Sequence, residues 1–585
     1  MRLLATLGVL GLTSGLWAAE KMDLAKGREH WAFQPVQRAA LPAVKAKDWP
    51  QNGIDHFILA RLEKAGLQPA PAVAPRDLQR RLNYALTGLP PKANSKFVNL
   101  KSEIENLMAT PQYGERWARH WLDVVRYADS NGLDENAAHA NAWRYRDYVI
   151  KAFAQDLPYS EFLRQQIAGD ELLDYSDPSA ITERHVDNLV ATGFLRMAPD
   201  GTGSDVVNSV GERMEVIADE IDIFSSTVLG LTMKCARCHS HKYDPIPQRD
   251  YYRLMAVFQG AYDVHDWLKP TAVPGQTNGV MKNRTLTVAT PGVISEVDEH
   301  NQQIQQKIEV ENGRLKKLEQ ELQQSHLLKG LETLPEVIRA DVKTTFETDD
   351  NEHNEVQRYL YDKFKATLEL NKDALAKQKP YADLKKAVED QVKTLNNQKR
   401  TLPTIRALWD RGEPSPTYIY VRGDHTQSGR LVGPGVPSVL TDGKTPFEPA
   451  KLEAGFEGTG RRLALANWLV DAEHPLTARV MVNRIWSNHF GRGIVASVDN
   501  FGKLGTLPSH PELLDWLAVE FIESGWSMKH MHRLMMTSRT YRQVSDLSEQ
   551  LIVDDPENIM LSLIHISEPT RPERISVAVV CVKKK

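Results

Sequence analysis

Gly114-Glu-Arg-Trp-Ala-Arg-His-Trp-Leu-Asp-Val-Val-Arg-Tyr-Ala128 places Trp117, Trp121, Val124, Val125 and Ala128 at i, i+4, i+7, i+8 and i+11. That spacing lays an apolar stripe along one face of an α-helix. The same period predicts helices over Trp143 to Phe153 and over Phe162 to Leu172, with Pro158, Pro178 and Pro199 between or after them, where helices end. A longer helix is expected from about Val207 to Leu231. Upstream, residues 28–75 are extended and Pro-punctuated, with one short amphipathic helix through Ile54, Phe57, Ile58 and Leu62. The chain therefore reads as mainly α.

Composition narrows the class. A chain of 585 residues is too long for one core and suggests several domains. Hydrophobic residues at 41% and charged residues at 25% are globular values and exclude whole-chain disorder. A net charge of −4 gives no basic footprint for nucleic acid. Three cysteines are too few for a disulfide scaffold. Beyond the first 20 residues, no apolar run approaches the ~18–20 residues that span a bilayer.

The termini carry their own signals. Met1-Arg2, an apolar stretch from Leu3 to Trp17, and Ala18-Ala19 before Glu20-Lys21 describe a secretory signal peptide over 1–19, and so export to a periplasm or cell surface. At the other end, Leu561-Ser-Leu-Ile-His-Ile-Ser-Glu-Pro-Thr-Arg571 and the run from Ile575 to Lys585 read as a translated sequencing adapter. Residues 561–585, Cys581 included, are on that reading not native.

Residues 263–294 read as a linker with short strands. From 295 to 400 the composition turns to Gln, Glu, Lys and Leu. Ile308, Leu315 and Leu322 share one heptad position, and Ile304 and Leu318 the other. A second helical stretch at 379–398 runs through Leu384, Val388, Val392 and Leu395. These predict an antiparallel, coiled-coil-like helical insert that serves as a spacer or an oligomer contact. From 401 to 560 the chain is globular again. It has a short β-type run at Tyr418-Ile-Tyr-Val421 and helices over Leu463 to Leu469, Thr477 to Phe490, Pro511 to Ser524 and Met528 to Ser538.

Cys235-Ala-Arg-Cys238-His239-Ser-His241 is the segment that carries chemistry. C-x-x-C-H is the attachment pattern of c-type haem: two thiols three positions apart add to the two vinyl groups of one porphyrin, and the following histidine ligates the iron. On this reading Cys235, Cys238 and His239 hold haem c, attached outside the cytoplasm, and a redox partner there is implied. The second axial position is open to His120, His265, Met255 or His425. Rival readings use the same residues. Cys235, Cys238, His239 and His241 are four borderline-soft ligands that could close a zinc site in a hydrolase or carbohydrate-handling protein, or in a surface assembly protein with a structural metal. The thiols could also form a disulfide or redox pair, or be purely structural.

Two charged constellations accompany this segment. Glu212, Glu215, Asp219 and Asp222 repeat at i, i+3, i+7 and i+10, so one helix face leading to the cysteines is carboxylate-lined, as a metal or proton-transfer site or as a solvated face. Arg126, Asp129, Asp134, Arg144 and Arg146 gather around a Gly132 turn, either to bind a saccharide or carboxylate or to join two helices. No nucleophile elbow, P-loop or dinucleotide fingerprint is present.

The chain resembles the large secreted proteins of planctomycete-type bacteria that join a PSCyt-type domain to a C-terminal PSD-type domain. His30-Trp-Ala-Phe-Gln-Pro35, Gly114 to Asp123, Ala142-Trp-Arg-Tyr-Arg-Asp147 and Cys235 to Tyr252 carry the first resemblance, over 28–262. Thr477 to Trp486, His489-Phe-Gly-Arg-Gly493, Pro508-Ser-His-Pro511 and Ser538-Arg-Thr-Tyr541 carry the second, over 401–560. The resemblance implies secretion, an association with cytochrome c, a role linked to degradation of complex carbon, and a C-terminal domain that continues past Asp555-Pro-Glu-Asn558. Many such proteins carry a separate N-terminal cytochrome c domain with its own C-x-x-C-H. Here the haem expectation rests on Cys235, Cys238 and His239 alone.

Overall fold

The computed structural model describes residues 22–93, 97–130, 139, 141–202, 208–267, 285–452, 458–545 and 559–560. The expected signal peptide, Asp134 and the segment from 561 lie outside them. The fold is mainly α, with two small two-stranded sheets. No described helix is long and apolar enough to cross a membrane.

The chain divides into two compact units, one formed by residues 1–288 with 404–585 and the other by 289–403. In the first unit, helices form where the period predicted them: Pro111–Val124, Ala142–Ala154 and Tyr159–Ala168 before the insert, and Arg461–Leu469, Thr477–Phe490, Pro511–Glu523 and Met528–Thr537 after it. Pro111 and Pro511 occupy first-turn positions, where a missing N–H costs nothing. Gly491 ends the Thr477–Phe490 helix in the left-handed region (φ 78°), a conformation that a residue with Cβ resists.

The sequence before the insert and the sequence after it build one core. Trp121, Leu163 and Phe194 belong to the same buried cluster as Trp486, Leu517 and Tyr541. Directed polar contacts fix the register between them. Asp55 accepts the backbone N–H groups of Arg539 and Thr540, both at 2.9 Å. The Arg81 guanidinium donates to Tyr541 O at 2.6 Å. Arg462, 0% exposed, forks onto both Asp170 oxygens at 2.8 and 2.6 Å. A buried guanidinium persists only when paired in this way.

The helix expected from Val207 to Leu231 is shorter, at Val210–Phe224, and it widens into a π-helical turn at Ser225–Leu229. The cause is local. The Ser225 and Ser226 hydroxyls both donate back to Asp222 O, at 3.3 and 2.7 Å, which loosens the α ladder. Gly230 (φ 60°) then turns the chain out of the helix.

The second unit is helical throughout. Pro291–Glu332 and Lys379–Asn396 pack with Ile304, Ile308 and Leu395 between them. Their direction is antiparallel, as His300 pairs with Gln398 O and Asn301 with Arg400 O. The stretch between them holds the helices Glu336–Glu347, Glu355–Leu368 and Lys372–Ala376, the first two closing a second small core of Leu331, Val342 and Leu368.

Candidate functional site

After Gly230 the chain enters a short 3₁₀ helix, Met233–Arg237. This geometry explains how the cysteines are displayed. Side chains at i and i+3 stack in a 3₁₀ helix, so Met233 and Ala236 point into the core while Cys235 and Cys238 are both exposed. The two thiols are free.

The turn is held from three sides. Tyr252 Oη and Gln248 Nε2 both donate to Arg237 O at 2.9 Å. The Gln248 amide also donates to Tyr420 O at 3.0 Å, tying the turn to the hairpin formed by Thr417–Tyr420 and Ser428–Val432. Arg237 reaches Glu215 at 2.7 Å, and Lys234 pairs with Asp219. The backbone of the hairpin comes close enough that a Cβ on Gly423 would lie 2.8 Å from Cys238 Sγ. The acidic face is thus an anchoring strip, because Asp222 in turn takes Arg126 at 3.0 Å. Ser209 caps the helix start, its Oγ accepting the Glu212 N–H at 3.3 Å.

The two histidines of the segment have different roles. His239 is exposed, and its Nδ1 lies 2.7 Å from Ser240 O. A proton on Nδ1 donated to that carbonyl leaves the Nε2 lone pair for a metal, the usual arrangement of an iron- or zinc-bound imidazole. His241 is buried, and its Nδ1 accepts the Asp244 N–H at 2.8 Å while Nε2 faces Thr232 Oγ1 at 3.2 Å. Burial lowers its pKa despite the neighbouring Asp244 carboxylate. Both His241 nitrogens are engaged, Nδ1 in closing the 241–246 loop and Nε2 with Thr232. Among the described residues, no three His, Cys, Asp or Glu side chains form a group that could hold a metal ion. Two exposed thiols and one oriented imidazole are the donors that haem attachment would use.

The expected second-ligand residues lie far apart in character. Met255 is core, 1% exposed. His265 donates its backbone N–H to Asp263 at 2.8 Å. His120 stands in a crevice against Trp117, with ring centroids 5.2 Å apart. His425 lies two residues from Gly423 on the hairpin that abuts Cys238, with Cε1 3.4 Å from the position a Cβ on Gly211 would take.

Within the Arg126 to Arg146 group, Arg146 stays in electrostatic reach of Asp129 and Tyr127, while Arg126 turns to another helix. Arg126 is on Asp222, Asp129 accepts from Tyr127 Oη at 2.6 Å, and Arg146 pairs with Asp147 at 2.8 Å. The Arg144 guanidinium lies 4.8 Å from the Trp143 ring centroid. Asp134 is outside the described residues.

Sequence reasoning missed a buried histidine cluster. His489 Nε2 lies 2.9 Å from His532 Nδ1, and the Trp117 ring lies 4.0 Å from that of His532. Burial lowers the His120 and His489 pKa values to about 3, and places that of His532 well below the ordinary range. Nothing in the spacing of these residues announces a cluster that only tertiary packing assembles.

Residues 53–263 match the family model PSCyt2, a protein of unknown function (DUF1549), and residues 461–574 match PSD1, a protein of unknown function (DUF1553). The second match extends into the segment whose sequence reads as an adapter. No curated protein and no solved structure matches the chain.

Proposed function

Taking as premise that this chain is a protein of the two-domain PSCyt2–PSD1 architecture, we propose that it carries a covalently attached c-type haem and works in electron transfer or a haem-assisted redox step outside the cytoplasm. The observation that carries this reading is the Met233–Arg237 turn, which displays Cys235 and Cys238 on its outer side and is followed by His239 with Nδ1 held to Ser240 O.

Cys235 and Cys238 would hold the group through thioethers, each S–H adding across one vinyl group with its hydrogen passing to the vinyl carbon, which needs no oxidant. His239 would offer Nε2 to the iron, with Ser240 O holding the imidazole in the required tautomer. Arg237, between the two thiols, is fixed by Glu215 and by the hydrogen bonds its carbonyl accepts, which hold the turn in place. The group itself supplies a one-electron iron couple. Export follows from the composition of residues 1–19, and the partner is a redox protein of the same compartment. The helical insert offers a surface for self-association.

The test is to produce the full chain in a periplasm with cytochrome maturation machinery, beside a control cytochrome. A pyridine haemochrome spectrum that survives denaturation, and that is lost in Cys235→Ala/Cys238→Ala, is expected. An intact mass equal to the bare polypeptide beside a correctly loaded control overturns the proposal. One equivalent of zinc in a colourless product would favour a metal-stabilised hydrolase or assembly protein instead.

A further inference from the structure

Three carboxyl groups and one guanidinium meet where three stretches of the first unit join. Asp170 and Glu171 follow the Tyr159–Ala168 helix, Asp410 comes shortly after the insert, and Arg462 stands in the first turn of the Arg461–Leu469 helix. Asp170 and Glu171 fall in the first family match and Arg462 in the second, with Asp410 between the two. Glu171 and Asp410 are buried, as is Arg462. The charges do not balance. Arg462 commits both terminal nitrogens to the two Asp170 oxygens, at 2.8 and 2.6 Å. Glu171 and Asp410 receive uncharged donors. Glu171 accepts the Gly460 N–H at 3.1 Å and the Leu463 N–H at 2.7 Å, while Asp410 accepts the Thr459 N–H at 2.9 Å and its hydroxyl at 2.6 Å. Thr459 and Gly460 are consecutive, so the two carboxyl groups lie side by side, and they hydrogen-bond to one another. Two ionised carboxylates have no donor for such a bond, so the pair must carry a proton.

The proton belongs mainly to Glu171. Burial pushes its pKa up from 4.5 to about 8, against the pull of Arg462 and with the help of the Asp170 and Asp410 carboxylates. Asp410 stays below the ordinary range despite its burial, held there by the Arg462 charge and by the hydrogen bonds from Glu171 and Thr459. The other titratable groups around the pair supply no second cation. Arg461 pairs with Glu413 at 3.3 Å. Arg411 is drawn to Asp266 and Asp263 more strongly than to Asp410. Tyr175, whose Oη donates to Gly169 O at 2.8 Å, is kept neutral by burial.

We propose that Glu171 and Asp410 share one proton and act as a pH-sensitive latch, which clasps the 459–463 turn to the first family region in acid and loosens as pH rises. While the latch is closed, Glu171 holds its proton up to about pH 8; with the turn released, it ionises near 4.5. Between those values each opening gives a proton to water, so the closed form loses up to about tenfold of its advantage per pH unit. Asp410 is ionised in both forms across this window and adds no slope. Above pH 8 both forms are ionised, and the dependence levels off. The latch is independent of the cysteine turn and does not depend on the haem reading.

Glu220 titrates over the same range, so the test must read the latch locally. Hydrogen exchange of the full chain, resolved by peptide and corrected for the intrinsic pH dependence of exchange, follows the amides of 459–463. Their protection should fall at least about tenfold between pH 5.5 and 7.5 and level off above pH 8. Glu171→Gln cannot ionise, and Asp410→Asn offers Glu171 an N–H in place of the shared proton. Each should hold that fall to about threefold or less. A peptide spanning Ala198, whose N–H is held by Glu220, should keep its wild-type profile in both variants, with thermal unfolding as the check on the fold of each. Flat protection in the wild type, a wild-type fall in either folded variant, or an Ala198 profile that changes in step with 459–463 overturns the latch. The wild-type profile and one folded variant decide the matter if the other fails to fold.

Discussion

His489 and His532, 43 residues apart, share a hydrogen bond of 2.9 Å between Nε2 and Nδ1, and the rings are buried between Trp117, Tyr113 and Tyr541. Burial lowers the pKa of both, His489 to about 3. The folded state therefore holds these imidazoles neutral, whereas the unfolded chain protonates them near pH 6.5. The stabilisation is complete above pH 6.5 and is lost as pH falls toward 3, by up to about 1.4 kcal/mol per pH unit for each group. The urea midpoint should fall between pH 7 and pH 4, and His489→Phe/His532→Phe should make that decline shallower. An unchanged slope in the double variant would show that the pair does not titrate as described.

Glu220 contributes the opposite dependence. Its carboxylate accepts the Ala198 N–H at 3.1 Å, but burial pushes its pKa up to about 8 from 4.5 despite the nearby Arg406 and Arg196. Below pH 4.5 it is protonated in both states, so its contribution to stability is intact there. From 4.5 to 8 the unfolded chain ionises while the folded chain retains the proton, and stability falls as pH rises. Glu220→Gln keeps the acceptor and removes the charge, so it should flatten the decline between pH 5 and 8. Chemical denaturation at several pH values reads this directly, and a variant with the wild-type slope would refute it.

How much of this was legible in the sequence depends on the range of the forces involved. Helix positions follow from local period and turn chemistry, which is why Thr477–Phe490 appears with both ends as expected. The helix through Glu215 ended early because two serine hydroxyls compete for Asp222 O, a detail that periodicity does not weigh. In the insert, the heptads located the Ile304/Ile308/Leu395 contact, but not the helices between the two long ones, whose apolar faces meet around Leu331, Val342 and Leu368. At the candidate site, C-x-x-C-H was visible as a string. The separation of His239 from His241 was not, because it depends on the Asp244 N–H and Thr232 hydroxyl that engage His241. The partner of Arg126 was hidden for a related reason: it is Asp222 on another helix, across a distance in sequence that no motif encodes.

The unloaded turn makes its own prediction. In a Cys581→Ser background, the native chain produced without haem maturation should yield two equivalents of thiol to an aromatic disulfide reagent without denaturant, from Cys235 and Cys238. Gly423→Val places a side chain 2.8 Å from Cys238 Sγ, at a backbone φ of 78° that non-glycine residues resist. That variant should slow labelling of Cys238 several-fold relative to Cys235 and cost about 1–3 kcal/mol of stability. Peptide-level mass spectrometry separates the two sites. Thiols that label only after unfolding would contradict the exposed placement.

The 289–403 unit should be removable. Leu286–Thr287 and Thr404–Ile405 form a short antiparallel ladder, with Leu286 opposite Ile405 and Thr287 opposite Thr404. The chain thus leaves and re-enters the first unit at neighbouring points, and the ladder itself belongs to that unit. The insert's apolar residues, such as Ile304, Val342 and Leu395, are buried in its own small clusters, separate from the main core. Joining Val288 to Thr404 through Gly-Asn-Gly makes a hairpin loop of ordinary length and shortens the segment whose ends the fold must hold together, a change that costs little entropy. The deletion should shift the melting temperature of the remaining unit by less than about 2 °C. Haem loading at Cys235 and Cys238 should be unchanged. Loss of a cooperative transition on deletion would show that the insert is needed for the first unit to fold. A normal transition with altered gel-filtration behaviour would assign self-association to the insert.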